Sequence, residues 1–186
     1  TLPSGVGGAG GNNGGTVPTD VLGNHVYANH QVGAQGRGGS NAYGIRICFG
    51  ILGCLNLYKP GSDGAQGGRG PDIPANGTLT IGNFGNLTSS ADGLPGVGVS
   101  SAGGNGGKGG DAYGNIEAYR GGAAGFGGSV TIDVPVDVTT QGRLAHGIFA
   151  QSRGGRGGAG GGGDIFGGGG SGGTDSAGGA VRVTNS

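Results

Sequence analysis

The chain has no tryptophan and no methionine, and hydrophobic residues make up only 32% of its 186 positions. A core of mixed large side chains is therefore excluded, and any core must be thin and repetitive. Charge is sparse as well: ten basic and ten acidic residues are scattered singly and sum to zero. That leaves no electrostatic footprint for nucleic acid or an anionic membrane. Long apolar runs are missing too. The longest, Ile45 to Leu57, is broken by Arg46, glycines and Asn56 and falls short of the ~20 residues a membrane-spanning helix needs. Thr1 opens directly in polar, glycine-rich sequence with neither a basic nor an apolar leader region, so the expectation is a mature chain or a fragment.

What is abundant is glycine, at 56 residues, with only 7 prolines. Collagen requires glycine at every third position and plentiful proline, and no sustained triplet register runs through this chain. A flexible Gly/Ser linker would have no use for β-branched strand patterns, yet such patterns recur here.

Self-similarity organises the sequence. Leu79-Thr80-Ile81, Val130-Thr131-Ile132 and Val181-Arg182-Val183 follow one another at 51-residue intervals. In the same register Leu87-Thr88 meets Val138-Thr139, Val97 meets Ile148, Val99 meets Ala150 and Ser101 meets Ser152. The glycine run Gly103–Gly107 meets Gly154–Gly158. An earlier, longer copy shows as Val26-Tyr27-Ala28-Asn29, aligned with Ile148-Phe149-Ala150-Gln151, and carries about twenty extra residues. One repetitive domain over residues 1–186 is expected. Its units are 20–78 (with a cysteine-loop insertion at 45–61), 79–129 and 130–180, and 181–186 opens a further unit.

Each unit holds an alternating strand, a second short strand, a GGxGG run and an aromatic element such as Asp111-Ala112-Tyr113-Gly114. The ring of that element is expected to close a glycine segment onto the core. Alternation is strictest at Val130, Ile132, Val134, Val136 and Val138, which predicts a strand with one buried face. Pro135 places that strand at an edge or a bulge. Stacked copies would bury the Val/Ile face in a continuous ladder. The expected fold is thus all-β, a repeat-built parallel β-solenoid or β-helix with ordered, polyglycine-II-like glycine excursions. Glycine suits such excursions because backbones can approach at distances a Cβ forbids.

Candidate sites are few. Cys48 and Cys54 enclose Phe49-Gly50-Ile51-Leu52-Gly53. Their spacing fits neither a four-ligand zinc site nor a two-residue redox motif, so a disulfide across a small apolar hairpin is expected, with oxidising surroundings. Ile45, Ile47, Phe49, Ile51, Leu52, Leu55, Leu57 and Tyr58 form the one dense apolar segment. Phe49, Ile51 and Leu52 are its candidate partner contacts, and packing on the flank of the repeats is the alternative. Arg37-Gly38-Gly39 and Arg153 to Gly158 look like RNA-binding RGG boxes, but Ala102 and Asn105 occupy the arginine positions of the aligned unit, so the spacing belongs to the glycine repeat. Gly5-x-Gly7-x-x-Gly10 lacks the strand–turn–helix setting of a dinucleotide site. His25, His30 and His146 are too sparse for catalysis. No catalytic residue, metal or cofactor is expected.

Where His146-Gly147-Ile148-Phe149-Ala150-Gln151-Ser152 runs into its glycine run, and Val181-Arg182-Val183-Thr184-Asn185 follows another, the chain resembles the glycine-rich passenger repeats of bacterial autotransporter adhesins. The resemblance implies a cell-surface or secreted location, a β-helical shaft and an adhesive or biofilm-type role, and it identifies no catalytic residue. Mycobacterial glycine-rich surface repeats and polyglycine ice-binding proteins share the GGxGG runs without the alternating strands. A non-enzymatic extracellular structural or adhesive protein is the resulting expectation, self-associating head to tail or continuing in a longer chain and contacting a host surface or biofilm matrix. An ice-binding or other monomeric glycine-rich binding module is the alternative.

Overall fold

The computed structural model describes residues 27–48, 54–81, 85–114, 116–164 and 168–186. Among them the fold is all-β, without a helix. Its strands are β1 Tyr27–Val32, β2 Ala42–Cys48, β3 Cys54–Lys59, β4 Leu79–Thr80, β5 Leu87–Ser89, β6 Val97–Ala102, β7 Ala112–Tyr113, β8 Val130–Asp133, β9 Val138–Thr140, β10 Ile148–Arg153 and β11 Val181–Thr184. They form four small sheets, ordered β1-β6-β10, β11-β8-β4, β3-β2-β7 and β5-β9. All pairs are parallel except the antiparallel hairpin β2–β3. No described helix is long and apolar enough to cross a membrane.

Several pairings follow the 51-residue register: Val97 faces Ile148, Val130 faces Val181, and Leu87 faces Val138. Two depart from the expected alignment. Leu79 pairs with Ile132 rather than Val130, whose bridge partner is Ile73. The two-residue slip keeps every side chain on its face, because strands repeat every two residues. In the first unit the shift is a single residue: Tyr27, not Val26, shares the column of Val97 and Ile148. An odd shift exchanges faces, so Tyr27 is fully buried whereas Phe149 is 37% exposed.

The expected alternating strand from Val130 to Val138 is divided. β8 ends at Asp133 and β9 starts at Val138, because Pro135 has no amide to give a ladder. Val134 remains buried past the end of β8. The core is a single cluster of Tyr27, Ile73, Ile81, Leu87, Val97, Val99, Val130, Ile132 and Val134.

Below this core the described residues include six glycine-rich segments, at residues 33–41, 61–72, 103–111, 118–129, 154–163 and 168–180. The odd-numbered segments prolong the β1-β6-β10 layer. Amides of Gly33, Gly36 and Gly39 donate to the carbonyls of Ala102, Asn105 and Lys108, and those of Gly103, Gly106 and Gly109 donate in turn to Arg153, Arg156 and Ala159. The even-numbered segments lead up into the other layer. Gly64, Gly67 and Gly70 donate to Arg120, Ala123 and Phe126, and Gly121, Ala124 and Gly127 donate to Ser171, Thr174 and Ala177. A second set of amides crosses between layers, as Gly104 to Gly68, Gly107 to Ala65 and Gly122 to Gly107, each at 2.8 Å. In the second, third and fourth segments one amide of each triplet thus bonds sideways and one crosses the layers, while the third residue faces outward. Direct backbone bonding leaves no room for side chains between the layers: a Cβ on Gly106 would land on the Gly122 carbonyl of the facing layer. This contact accounts for the GGx pattern.

Candidate functional site

The β2–β3 hairpin grows from the turn between the first and second glycine segments, where the other units have only a short connection. Cross-strand pairs are Tyr43–Lys59, Ile45–Leu57, Ile47–Leu55 and Cys48–Cys54. The cysteines form the expected disulfide, S–S 2.06 Å with Cα atoms 3.9 Å apart. Phe49, Ile51 and Leu52, the candidate partner contacts, lie outside the described residues.

Alternation divides the hairpin into two faces. On the inner face a Cβ at Gly44 would lie 3.5 Å from Ile116, and the Tyr58 hydroxyl meets that of Tyr119 at 2.8 Å. This hydrogen bond, with some desolvation, raises the Tyr58 pKa above the ordinary tyrosine value. The outer face carries Tyr43, Ile45, Ile47, Leu55 and Leu57, all exposed, with Ile45 at 60%. Tyr58 is itself 57% exposed, so the inner face meets the repeats through the Ile116 and Tyr119 contacts without being buried by them.

Of the aromatic elements Phe166 lies outside the described residues, and the two described rings, Tyr43 and Tyr113, do not close onto the core as expected. Tyr43 and Tyr113 pair in register on β2 and β7 and stack on each other outside it, with ring centroids 5.1 Å apart and planes at 12°. Lys59 Nζ lies 5.8 Å from the centre of the Tyr43 ring. Parallel repeats place like rings one rung apart, close enough for mutual stacking.

Outward side chains of the glycine segments serve the next rung. Gln35 Oε1 accepts the amide of Asn105, whose own Oδ1 accepts the amide of Arg156. Asn41 Oδ1 likewise accepts from Asp111, and Asp111 Oδ1 accepts from Gly162 at 2.6 Å. Sequence reading overlooked these ladders. Their signal was present in the polar residues Asn41, Asp111, Gln35 and Asn105 at corresponding places in successive units. The Asp111 carboxyl is held below the usual aspartate range, first by Lys108 Nζ at 2.7 Å and then by the Gly162 amide. Arg156 stands in one of these outward rows and Arg37 lies in the first segment, so the two RGG-like stretches sit in different rungs. Among the described residues no three metal-binding side chains gather.

No family model, curated protein or solved structure matches this chain.

Proposed function

We propose that this chain is a non-enzymatic extracellular structural or adhesive protein, a parallel β-solenoid whose lower half is built of polyglycine-II-like segments and whose repeats add into a shaft. The observation that carries this reading is translational self-complementarity. The middle rung accepts sideways amides from the first and donates the same set to the third, in both layers. Such a heterologous contact generates an open-ended stack. The third rung carries strand edges of the same kind, with β10 and β11 each paired on one side only and all four residues of β11 exposed. Unpaired edges are templates for another strand. A further repeat, in the same polypeptide or in a second copy, fits there.

The Cys48–Cys54 bond is compatible with an oxidising compartment, and the likeness to autotransporter passenger repeats points the same way, to the bacterial surface. Negative-stain electron microscopy of the purified chain tests the shaft. Rods or fibres lengthening with concentration are expected, and compact particles of one size at every concentration would overturn it. The reading as a monomeric binding module is favoured by the open apolar face of Ile45, Ile47, Leu55 and Leu57. It predicts a ligand lost on opening the Cys48–Cys54 loop.

A further inference from the structure

Outward residues of the second, fourth and sixth segments form a grid. Its rows are Asp63, Gln66 and Arg69 beside Arg120, Ala123 and Phe126 beside Ser171, Thr174 and Ala177. The bonds between segments set the level of each row: Gly64, Gly67 and Gly70 donate to Arg120, Ala123 and Phe126, and Gly121, Ala124 and Gly127 donate to Ser171, Thr174 and Ala177. At the centre of the grid stands Ala123, the smallest side chain of its row, with Gln66 and Thr174 to its sides and Arg120 and Phe126 along its segment. The result is a groove of about 380 Å³ lined by Asp63, Gln66, Arg120, Ala123, Thr174 and the backbone of intervening glycines.

The chemistry of the groove is specific. Its floor is alanine and glycine, so a flat ligand can lie against the backbone. Arg120 is fixed from two sides, its amide donating to Asp63 Oδ1 and its Nε to Ser171 Oγ, both at 2.9 Å. The amide of Gln66, the hydroxyl of Thr174 and the terminal nitrogens of Arg120 have no partner among the described residues. Asp63 and Arg120 offset one another, so the rim offers planar and hydroxyl hydrogen-bonding groups without net charge. One triplet further along the same segment stands Phe126, 55% exposed although its neighbours Gly125 and Gly127 are buried. An extended segment rising ~3.1 Å per residue puts it roughly 9 Å from Ala123, about the length of two sugar rings.

We propose that this groove binds a neutral oligosaccharide. One ring would lie over Ala123 with its hydroxyls met by Gln66, Arg120, Asp63 and Thr174, and the ring two positions along the oligosaccharide would stack its apolar face on Phe126. A few placed polar groups around an apolar floor is the usual form of such sites, and a rigid aromatic supplies contact area at low entropic cost. The proposal deepens the surface reading by naming what such a surface holds, and the two are tested separately.

The test is titration of the isotope-labelled chain with maltohexaose, cellohexaose, laminarihexaose and chitohexaose, followed by NMR. At least one should give saturable shifts confined to Gln66, Arg120, Ala123, Phe126 and Thr174. Affinity should fall about tenfold or more in Phe126→Ala, a loss of ~1.4 kcal/mol or more, and in Ala123→Leu, which fills the groove from an outward position. Circular dichroism should show both variants folded. Absence of shifts with all four sugars, shifts elsewhere, or unchanged affinity in both folded variants would overturn the proposal. Rod formation in electron microscopy is unaffected by any of these results.

Discussion

The hydroxyl of Ser101 donates to the Pro71 carbonyl at 2.7 Å and accepts the Gly128 amide at 3.0 Å, at the level where the two layers change their mode of contact. Above it Val97, Val99, Val130 and Ile132 hold the layers apart with side chains; below it glycine backbones bond to each other directly. Ser152 repeats the clip one rung on, donating to Gly128 O and accepting from Gly179 N. A small hydroxyl suits a tapering gap too narrow for valine and too wide for a backbone bond.

Ser101 is fully buried, so Ser101→Ala leaves a buried carbonyl and amide without their partner. The expected loss is about 1–3 kcal/mol in chemical denaturation. Ser101→Ala with wild-type stability would remove the clip from the account.

Glycine at inward and outward positions should respond differently to substitution. Gly107→Ala drives a methyl into the Arg37 carbonyl and is expected to cost about 3 kcal/mol or more. Gly38→Ala, whose methyl would find its nearest atom at 3.8 Å, should change stability by less than about 1 kcal/mol. Thermal unfolding of the pair separates a built glycine layer from loose loops, which would tolerate both.

The one-residue register of the first unit is testable through its aromatics. Tyr27→Ala should cost about 3–5 kcal/mol, as for other buried rings, and Phe149→Ala much less because that ring is partly exposed. Equal losses would favour the alignment that begins at Val26.

The disulfide closes only a short loop, since the cysteines are 6 apart. The chain-entropy model gives about 2 kcal/mol for so short a loop. The double variant Cys48→Ser/Cys54→Ser should lose hydrogen-exchange protection in β2 and β3 alone, with β6, β8 and β10 unchanged.

Acid should loosen the polar ladder at Asp111. Its folded pKa is depressed, so the stabilisation is present above the unfolded aspartate value and is lost as pH falls through the lower folded value. The NMR shift of the Gly162 amide should therefore move below pH ~4, and in Lys108→Ala the transition should move to higher pH.

Much of this was legible in the sequence because it repeats in register. The 51-residue interval set the pairing of Val97 with Ile148 and of Val130 with Val181, and the Cys48–Cys54 pair marked the hairpin. Where units differ in length, register was not legible. Residues 74–78 place Leu79 two residues from its expected partner, and at Tyr27 only the buried column decides which of two adjacent residues turns inward.

The sequence by itself determined that this is a β protein of repeated units with a thin apolar core beside glycine-rich segments, because period-two apolar strands and GGx triplets allow little else. Only the tertiary structure decided which glycine faces a carbonyl and which outward position holds Ala123 between Gln66 and Thr174. Those relations join residues from different rungs, and GGx triplets that look alike in every segment do not say which triplet lies beside which.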